Sequence, residues 1–271
     1  NRKPFFIYLS HYEVHTPFEG KSLLEEKYKI KKEKLYRGEN IQDPFLYEST
    51  TGETKLRQDN HIYAAMIENL DTNFGRVVEY LKENNLYKNT IIVFTSDHGG
   101  LSNRGNGRPL ATSNLPLRAG KGHNYEGGIK VPLFVVWEDK IVSGWSNTLV
   151  TGTDHFPTLL ELIGEETMGE RHLDGLSFKK SLSGKLQDNS KRPIFWHSPR
   201  PRPKSTGDLA NTAIRLGDYK LLDFYREGRV ELYNLKEDMR ESKNLSETMQ
   251  NKKEELLHLV RKWRESVDAI E

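Results

Sequence analysis

An apolar run that stops at an acid, an imidazole and two glycines constrains this chain more than any other stretch. Ile91-Ile-Val-Phe94 is rich in β-branched residues, and Thr-Ser-Asp97-His98-Gly99-Gly100 follows it directly. The run predicts a buried strand. In open α/β sheets ligands sit beyond the carboxyl ends of the strands, where loops converge. Asp97 and His98 therefore stand where a metal or a catalytic pair would be held. Gly99 and Gly100 permit a tight turn and close approach of an anion to the backbone. An Asp-His pair before glycine is as often plain turn chemistry, so the neighbouring segments have to decide.

Bulk properties narrow the field. Over 271 residues, 41 Lys and Arg face 39 Asp and Glu, for a net charge of +2. No basic excess is available to neutralise a nucleic-acid backbone. The chain contains no cysteine, which excludes disulfides, thiolate metal sites and a cysteine nucleophile within it. No apolar run approaches the ~18 residues of a membrane span. The chain opens on Asn1-Arg-Lys-Pro4, with no starting methionine and no signal peptide, and is expected to be a piece of something longer.

Along the chain, Phe5 to Leu9 predicts a buried strand that delivers His11 and His15 at its end, with Pro17 starting a loop. Lys21 to Thr54 is polar and predicts surface helix and loop. Met66, Ile67, Leu70, Phe74, Val77, Val78 and Leu81 recur at helical spacing and predict a helix over Tyr63 to Leu81 with one buried stripe, ended by Asn84 and Asn85. Residues 101–120 are irregular, and so long a loop in a compact domain is usually functional. Gly120-Lys-Gly-His-Asn-Tyr-Glu-Gly-Gly128 follows, then a second buried strand over Val131 to Trp137. A helix over Phe156 to Ile163 starts near Thr153-Asp154 and stops at Gly164.

A polar stretch near Gly184 to Arg192 marks a boundary, dividing the chain into 1–188 and 189–271. Beyond it, Ala213 to Leu216, Tyr219 to Phe224 and Val230 to Tyr233 predict short strands separated by Gly217-Asp218 and Glu227-Gly228. A helix over Lys252 to Val267 would cover them. The expected fold class is a layered α/β core with a small C-terminal antiparallel sheet and one helix.

Three loops hold the polar residues of interest: His11/His15, Asp97/His98 and Lys121/His123. A lone histidine at a strand end is more often structural, and a lysine between glycines is often mere surface charge. A parallel sheet, however, would bring all three loops to one edge. There a carboxylate and an imidazole could bind a divalent cation, a lysine could act as a point charge on an oxyanion, and a histidine could protonate a leaving group. Such a set suits a tetrahedral anionic ester, sulfate or phosphate.

Pro4 to Pro17, Tyr63 to Asp71, Phe94 to Gly100 and Gly120 to Gly128 together resemble the type I sulfatases of the alkaline-phosphatase superfamily. Ala213 to Leu221 and Glu231 to Leu235 resemble that family's C-terminal subdomain. The resemblance implies hydrolysis of a sulfate ester by a formylglycine made from the Cys or Ser of a Cys/Ser-x-Pro-x-Arg motif. It further implies calcium, with magnesium as the alternative, held in part by Asp97 and His98. Lys121 matches the sulfate-contacting lysine, and His15 matches the histidine that assists the leaving-group oxygen or contacts sulfate. His123 and His197 are implied as substrate-binding residues. Phe195 to Arg202 is either a pocket wall, with aromatic and basic groups for a sugar and its charges, or a packed strand end with a solvated Arg loop.

The sequence also departs from the family. It has no cysteine and no Ser-x-Pro-x-Arg, and the family's early Asp-Asp metal ligands are missing. Both are expected in an N-terminal part of the same protein, so this portion alone is expected to be inactive. Expected partners are that N-terminal part and a sulfated carbohydrate or aryl sulfate. The implied location is periplasmic or extracellular. A phosphohydrolase of the same superfamily and a non-catalytic glycan-binding homologue are the competing readings.

Overall fold

The computed structural model describes residues 3–38 and 44–271. In chain order it contains α1 (Ser22–Leu35), β1 (Phe45–Glu48), β2 (Gly52–Lys55), α2 (His61–Glu83), β3 (Ile92–Thr95), β4 (Asn103–Arg104), α3 (Glu126–Ile129) and β5 (Leu133–Val136). Then come α4 (His155–Ile163), α5 (Lys179–Leu182), β6 (Ile194–Ser198), β7 (Asn211–Leu216), β8 (Tyr219–Phe224), β9 (Arg229–Asn234) and α6 (Gln250–Ser266).

The C-terminal sheet carries the clearest core. Its strands run antiparallel in the order β6-β7-β8-β9. Because side chains alternate along a strand, each strand serves both faces. Ala213, Leu222, Phe224 and Tyr233 meet Ala119 and Tyr125 on one side. Ile214, Leu221 and Leu232 meet Leu256, Leu257 and Val260 of α6 on the other. Burying each such aliphatic chain contributes roughly 1.5–3 kcal/mol. Phe195 stacks on Trp263 of α6 with ring centroids 4.9 Å apart, and Arg264 Nη2 reaches Asp223 Oδ2 at 2.8 Å. The expected sheet and covering helix are thus observed, with β6 as an additional strand.

The predicted helix is α2. Asn60 caps its start by accepting from the Tyr63 N–H at 3.1 Å. Asn84 closes it, and Asn85 follows with φ at 55°. The stripe is only partly buried: Met66 and Leu81 are covered while Ile67 and Val77 are exposed.

Three expectations are corrected. Phe5 to Leu9 forms no strand, and its side chains are between 51% and 84% exposed. An apolar run becomes a strand only when another strand satisfies its backbone, and among the described residues none pairs with it. The sheet edge expected to be parallel is antiparallel, since β3 pairs with β5 in the register Ile92↔Val136 to Thr95↔Leu133. Neither expected buried strand is fully covered: β3 is half-buried with Thr95 exposed, and β5 leaves Phe134 and Val136 exposed.

The stretch read as surface helix and loop contains α1, and also a hairpin of β1 and β2. Residues 39–43 of that stretch lie outside the described residues. Asn103 on β4 pins the hairpin by donating from Nδ2 to Thr51 O at 3.0 Å and to Thr54 Oγ1 at 2.6 Å.

Candidate anion and metal site

The antiparallel register decides where the Asp-His loop goes. Thr95 at the end of β3 faces Leu133 at the start of β5, so residues 96–100 run back beside the segment that leads into β5. The Gly99 N–H donates to Gly128 O at 2.9 Å, and the Lys121 N–H donates to Gly100 O at 3.0 Å. The two motifs, more than twenty residues apart in sequence, form one hydrogen-bonded unit.

Glycine is required here for contact. A Cβ on Gly99 would collide with the carbonyl of Gly127, and one on Gly128 with the carbonyl of His123. Asn114 sits at the centre. Its Nδ2 lies 2.8 Å from Gly100 O, 3.0 Å from Ala119 O, 3.1 Å from Gly127 O and 3.1 Å from Ser102 Oγ.

Asp97 is exposed, and its Oδ2 lies 3.2 Å from His98 Nε2. His98 Nδ1 is 2.9 Å from Gly99 O. A carbonyl can only accept, so Nδ1 carries a proton, and Nε2 is the atom that faces the carboxylate. Either a proton or a cation can occupy the gap between Nε2 and the carboxylate. This backbone-fixed tautomer is the form in which a histidine ligates metal, so the pair fits a divalent cation as part of its shell. Calcium takes 6–8 ligands, and among the described residues no group of three or more His, Cys, Asp or Glu is gathered to hold a metal.

Burial, the largest influence, draws the Lys121 ammonium below its ordinary pKa. Asp97 raises it, and Arg108 and Arg202 lower it further. Asp97, Arg108 and Arg202 therefore all lie within electrostatic reach of the lysine.

The other candidate residues are placed differently. His123 is buried behind the lysine loop, stacked on Tyr125, and its Nε2 donates to Thr206 O at 2.8 Å. Burial holds its imidazole below the ordinary range, against the opposing pull of the Thr206 carbonyl and Asp208. His197 lies on the α6 face of the C-terminal sheet, beside Trp263. Its Nδ1 is 2.9 Å from Thr212 Oγ1 and its Nε2 is 2.7 Å from Ile270 O. The sheet separates it from Tyr125.

His15 is exposed on a loop of its own, with Nδ1 donating to Thr16 O at 2.8 Å. That loop is held by Asn69, which donates to Glu13 Oε1 at 2.9 Å, and by Phe18, which packs edge-on to Tyr63. His11 turns to Glu13 at 3.8 Å.

Sequence reasoning missed the buried polar hub that seats the lysine loop on the C-terminal sheet. Lys220 Nζ lies 3.0 Å from Glu126 Oε1 and 2.8 Å from Glu241 Oε1; Lys220 and Glu241 are fully buried and Glu126 nearly so. Burial acts against both carboxylates. Lys220 and Arg215 outweigh it at Glu126, whose pKa falls, whereas at Glu241 burial prevails and the pKa rises. Tyr125 donates to Glu231 at 2.6 Å, and Arg118 donates to Tyr233 at 2.9 Å and to Glu241 O at 3.0 Å. A signal existed: alternation along β8 puts Lys220 on the same face as Leu222 and Phe224.

The Sulfatase family profile matches residues 1–165. The chain belongs to the sulfatase family. A second profile, N-sulphoglucosamine sulphohydrolase, C-terminal, matches residues 120–266. A sulfatase of Formosa agariphila is 31% identical over 98% of this chain and 46% of its own length. The N-acetylgalactosamine-6-sulfatase of Canis lupus familiaris is 32% identical over 58% of the chain and 28% of its own length. Among solved structures, Ps i-CgsB in complex with k-i-k-neocarrahexaose superposes with a TM-score of 0.71, at 27% identity over 97% of this chain and 50% of that one. This sulfatase-family chain thus spans about half the length of relatives that it matches from end to end, and its neighbours share the alkaline-phosphatase-like architecture. Among the described residues no helix is long and apolar enough to cross a membrane.

Proposed function

We propose that this chain is part of a sulfuric ester hydrolase that removes sulfate from a sulfated glycan. The observation that carries the reading is the union of the Asp97-His98 loop with the Lys121 loop through the Lys121 N–H to Gly100 O bond of 3.0 Å. It sets a carboxylate-imidazole pair and an ammonium in one electrostatic neighbourhood, which suits a tetrahedral oxyanion.

Lys121 binds the sulfate oxygens as a point charge. Asp97 and His98 would hold part of the shell of a calcium ion, which when bound would supply Lewis-acid withdrawal of charge from those oxygens. His15 keeps Nδ1 on Thr16 O, leaving Nε2 to face the leaving-group oxygen. As an imidazolium it hands that oxygen a proton, a step worth roughly 10²–10⁴-fold in rate. The nucleophile segment and the remaining metal ligands belong to a part of the protein outside these residues. The half-length match to relatives supports that placement.

The likeness to Ps i-CgsB over nearly the whole chain favours a glycan over a small aryl sulfate, and a periplasmic or extracellular location fits such a substrate. The test is sulfate release by the whole protein from sulfated oligosaccharides and from an aryl sulfate, with calcium and after chelation. Calcium-dependent release is expected. Turnover by a preparation limited to these 271 residues would overturn the division of the site.

A further inference from the structure

Beside Lys121 the structure gathers two guanidinium groups that the desulfation chemistry does not use. Arg108 is half-buried, and its Nη1 donates to Ser205 Oγ at 2.8 Å. Its backbone is pinned on both sides. The Arg108 N–H donates to Asn106 Oδ1 at 3.2 Å, and the Arg108 carbonyl accepts from Arg104 Nη1 at 2.9 Å. Among the described residues no carboxylate pairs with Arg108.

Arg202 is fixed still more firmly. Its N–H donates to the buried Asp208 Oδ2 at 3.1 Å. Its carbonyl accepts from the N–H groups of Ser205, Thr206 and Gly207 at 2.9, 3.0 and 3.3 Å. Its guanidinium passes over Gly122, where a Cβ would sit 2.8 Å from Arg202 Nη2. The residue next to Lys121 is therefore one whose missing side chain makes room for Arg202. Gly105 closes against the Pro203 carbonyl in the same way, so the loops carrying the two arginines touch.

Three cations thus share one neighbourhood. Asp208 partly balances Arg202, with Nε at 3.7 Å from Oδ1, and the charge of Asp97 favours the Lys121 ammonium. Three cations against the two carboxylates of Asp97 and Asp208 leave an excess of positive charge, which an anion received between the arginines would neutralise. Two forks offered from separate loops supply more donors than a planar carboxylate can take. They suit the three terminal oxygens of a tetrahedral group.

We propose that Arg108 and Arg202 form a clamp for a second sulfate on the same saccharide, so that the site selects multiply sulfated glycans over singly sulfated ones. This rests on the sulfatase reading for the sulfate at Lys121, and the experiment separates the two.

Binding to the whole protein is measured by calorimetry for a galactan oligosaccharide with two sulfates per disaccharide and for the same oligosaccharide with one. Sulfate release from both is followed in parallel. Arg108→Gln, Arg202→Gln and the double variant are compared with Arg202→Lys, which keeps the charge and serves as the folding control. The preference for the doubly sulfated ligand is expected to fall about 10-fold for each arginine removed. Arg202→Lys should lose only part of it, about 3-fold, because an ammonium keeps the charge and gives up the fork. An unchanged preference in the double variant overturns the clamp. If the preference collapses as expected but the wild-type protein releases no sulfate, the clamp stands and the hydrolase reading falls. If sulfate is released while the preference ignores both arginines, the hydrolase reading stands alone.

Discussion

Lys121 and Gly100 are joined through their backbones, the N–H of one donating to the carbonyl of the other at 3.0 Å. The position of the lysine ammonium relative to Asp97 is therefore set by main-chain geometry and by whatever holds that geometry in place.

Asn114 is what holds it. Its Nδ2 serves four acceptors between 2.8 and 3.1 Å away. Asn114→Ala takes the amide from the Gly127 carbonyl and leaves Gly100 O to the Lys121 N–H and Ala119 O to Ser102 Oγ, and is expected to cost about 1–3 kcal/mol in denaturant unfolding. Asn114→Asp sets a carboxylate against three carbonyls and should cost more. A neutral result for both would show that water replaces the amide.

Replacing Lys121 by Met removes the point charge while keeping the length of the chain. Loss of one preorganised charge-stabilising group costs about 10²–10³ in kcat, so sulfate release by the whole protein should fall by that order while its thermal unfolding barely shifts.

Asp97→Asn removes one negative ligand from the proposed calcium shell. Because calcium affinity follows ligand charge, the concentration needed for half-maximal sulfate release should rise, roughly 10-fold or more. Identical calcium titrations of the wild type and the variant would remove Asp97 from the shell.

Lys220 is buried between two carboxylates. Lys220→Met leaves Glu241 buried without its cation and Glu126 with Arg215 alone, and breaking such a pair costs about 3–5 kcal/mol. The triple change with Glu126→Gln and Glu241→Gln should recover much of the loss, which urea unfolding would read directly.

His123 gives stability a pH dependence of known sign. Burial lowers its pKa in the folded protein below the ordinary value of 6.5, so below that pH the unfolded chain binds more protons. The stability contribution is whole above about 6.5 and is lost as pH falls from there toward the folded value. In His123→Gln, unfolding measured from pH 7.5 to 5 should vary less steeply with pH than in the wild type. His155, also lowered by burial, leaves a residual slope.

How much was legible differs between the two ends of the chain. The C-terminal sheet followed from alternation and turn residues, because β7, β8 and β9 are consecutive and each pairs with its neighbour. Phe5 to Leu9 carried an equally good strand pattern and forms none, because a pattern states which face wants burial and does not supply the partner. β3 was found within a residue, yet its partner β5 runs antiparallel where parallel was expected, since strand direction leaves no mark on a four-residue apolar run.

The sequence by itself determined the chemistry present: an acid and an imidazole at a strand end, a lysine in a glycine frame, and motifs that place the chain among sulfatases. Only the tertiary structure decided which of these groups meet. It joined Asp97-His98 to Lys121, sent His197 to the far face of a sheet, buried His123 against Thr206, and brought Arg202 over Gly122 beside the lysine, with Arg108 on the adjoining Ser205. The reason is that residue type and local period set what a side chain can do and which face it takes. Long-range backbone hydrogen bonds and close glycine contacts, invisible in any short window, set what stands beside it.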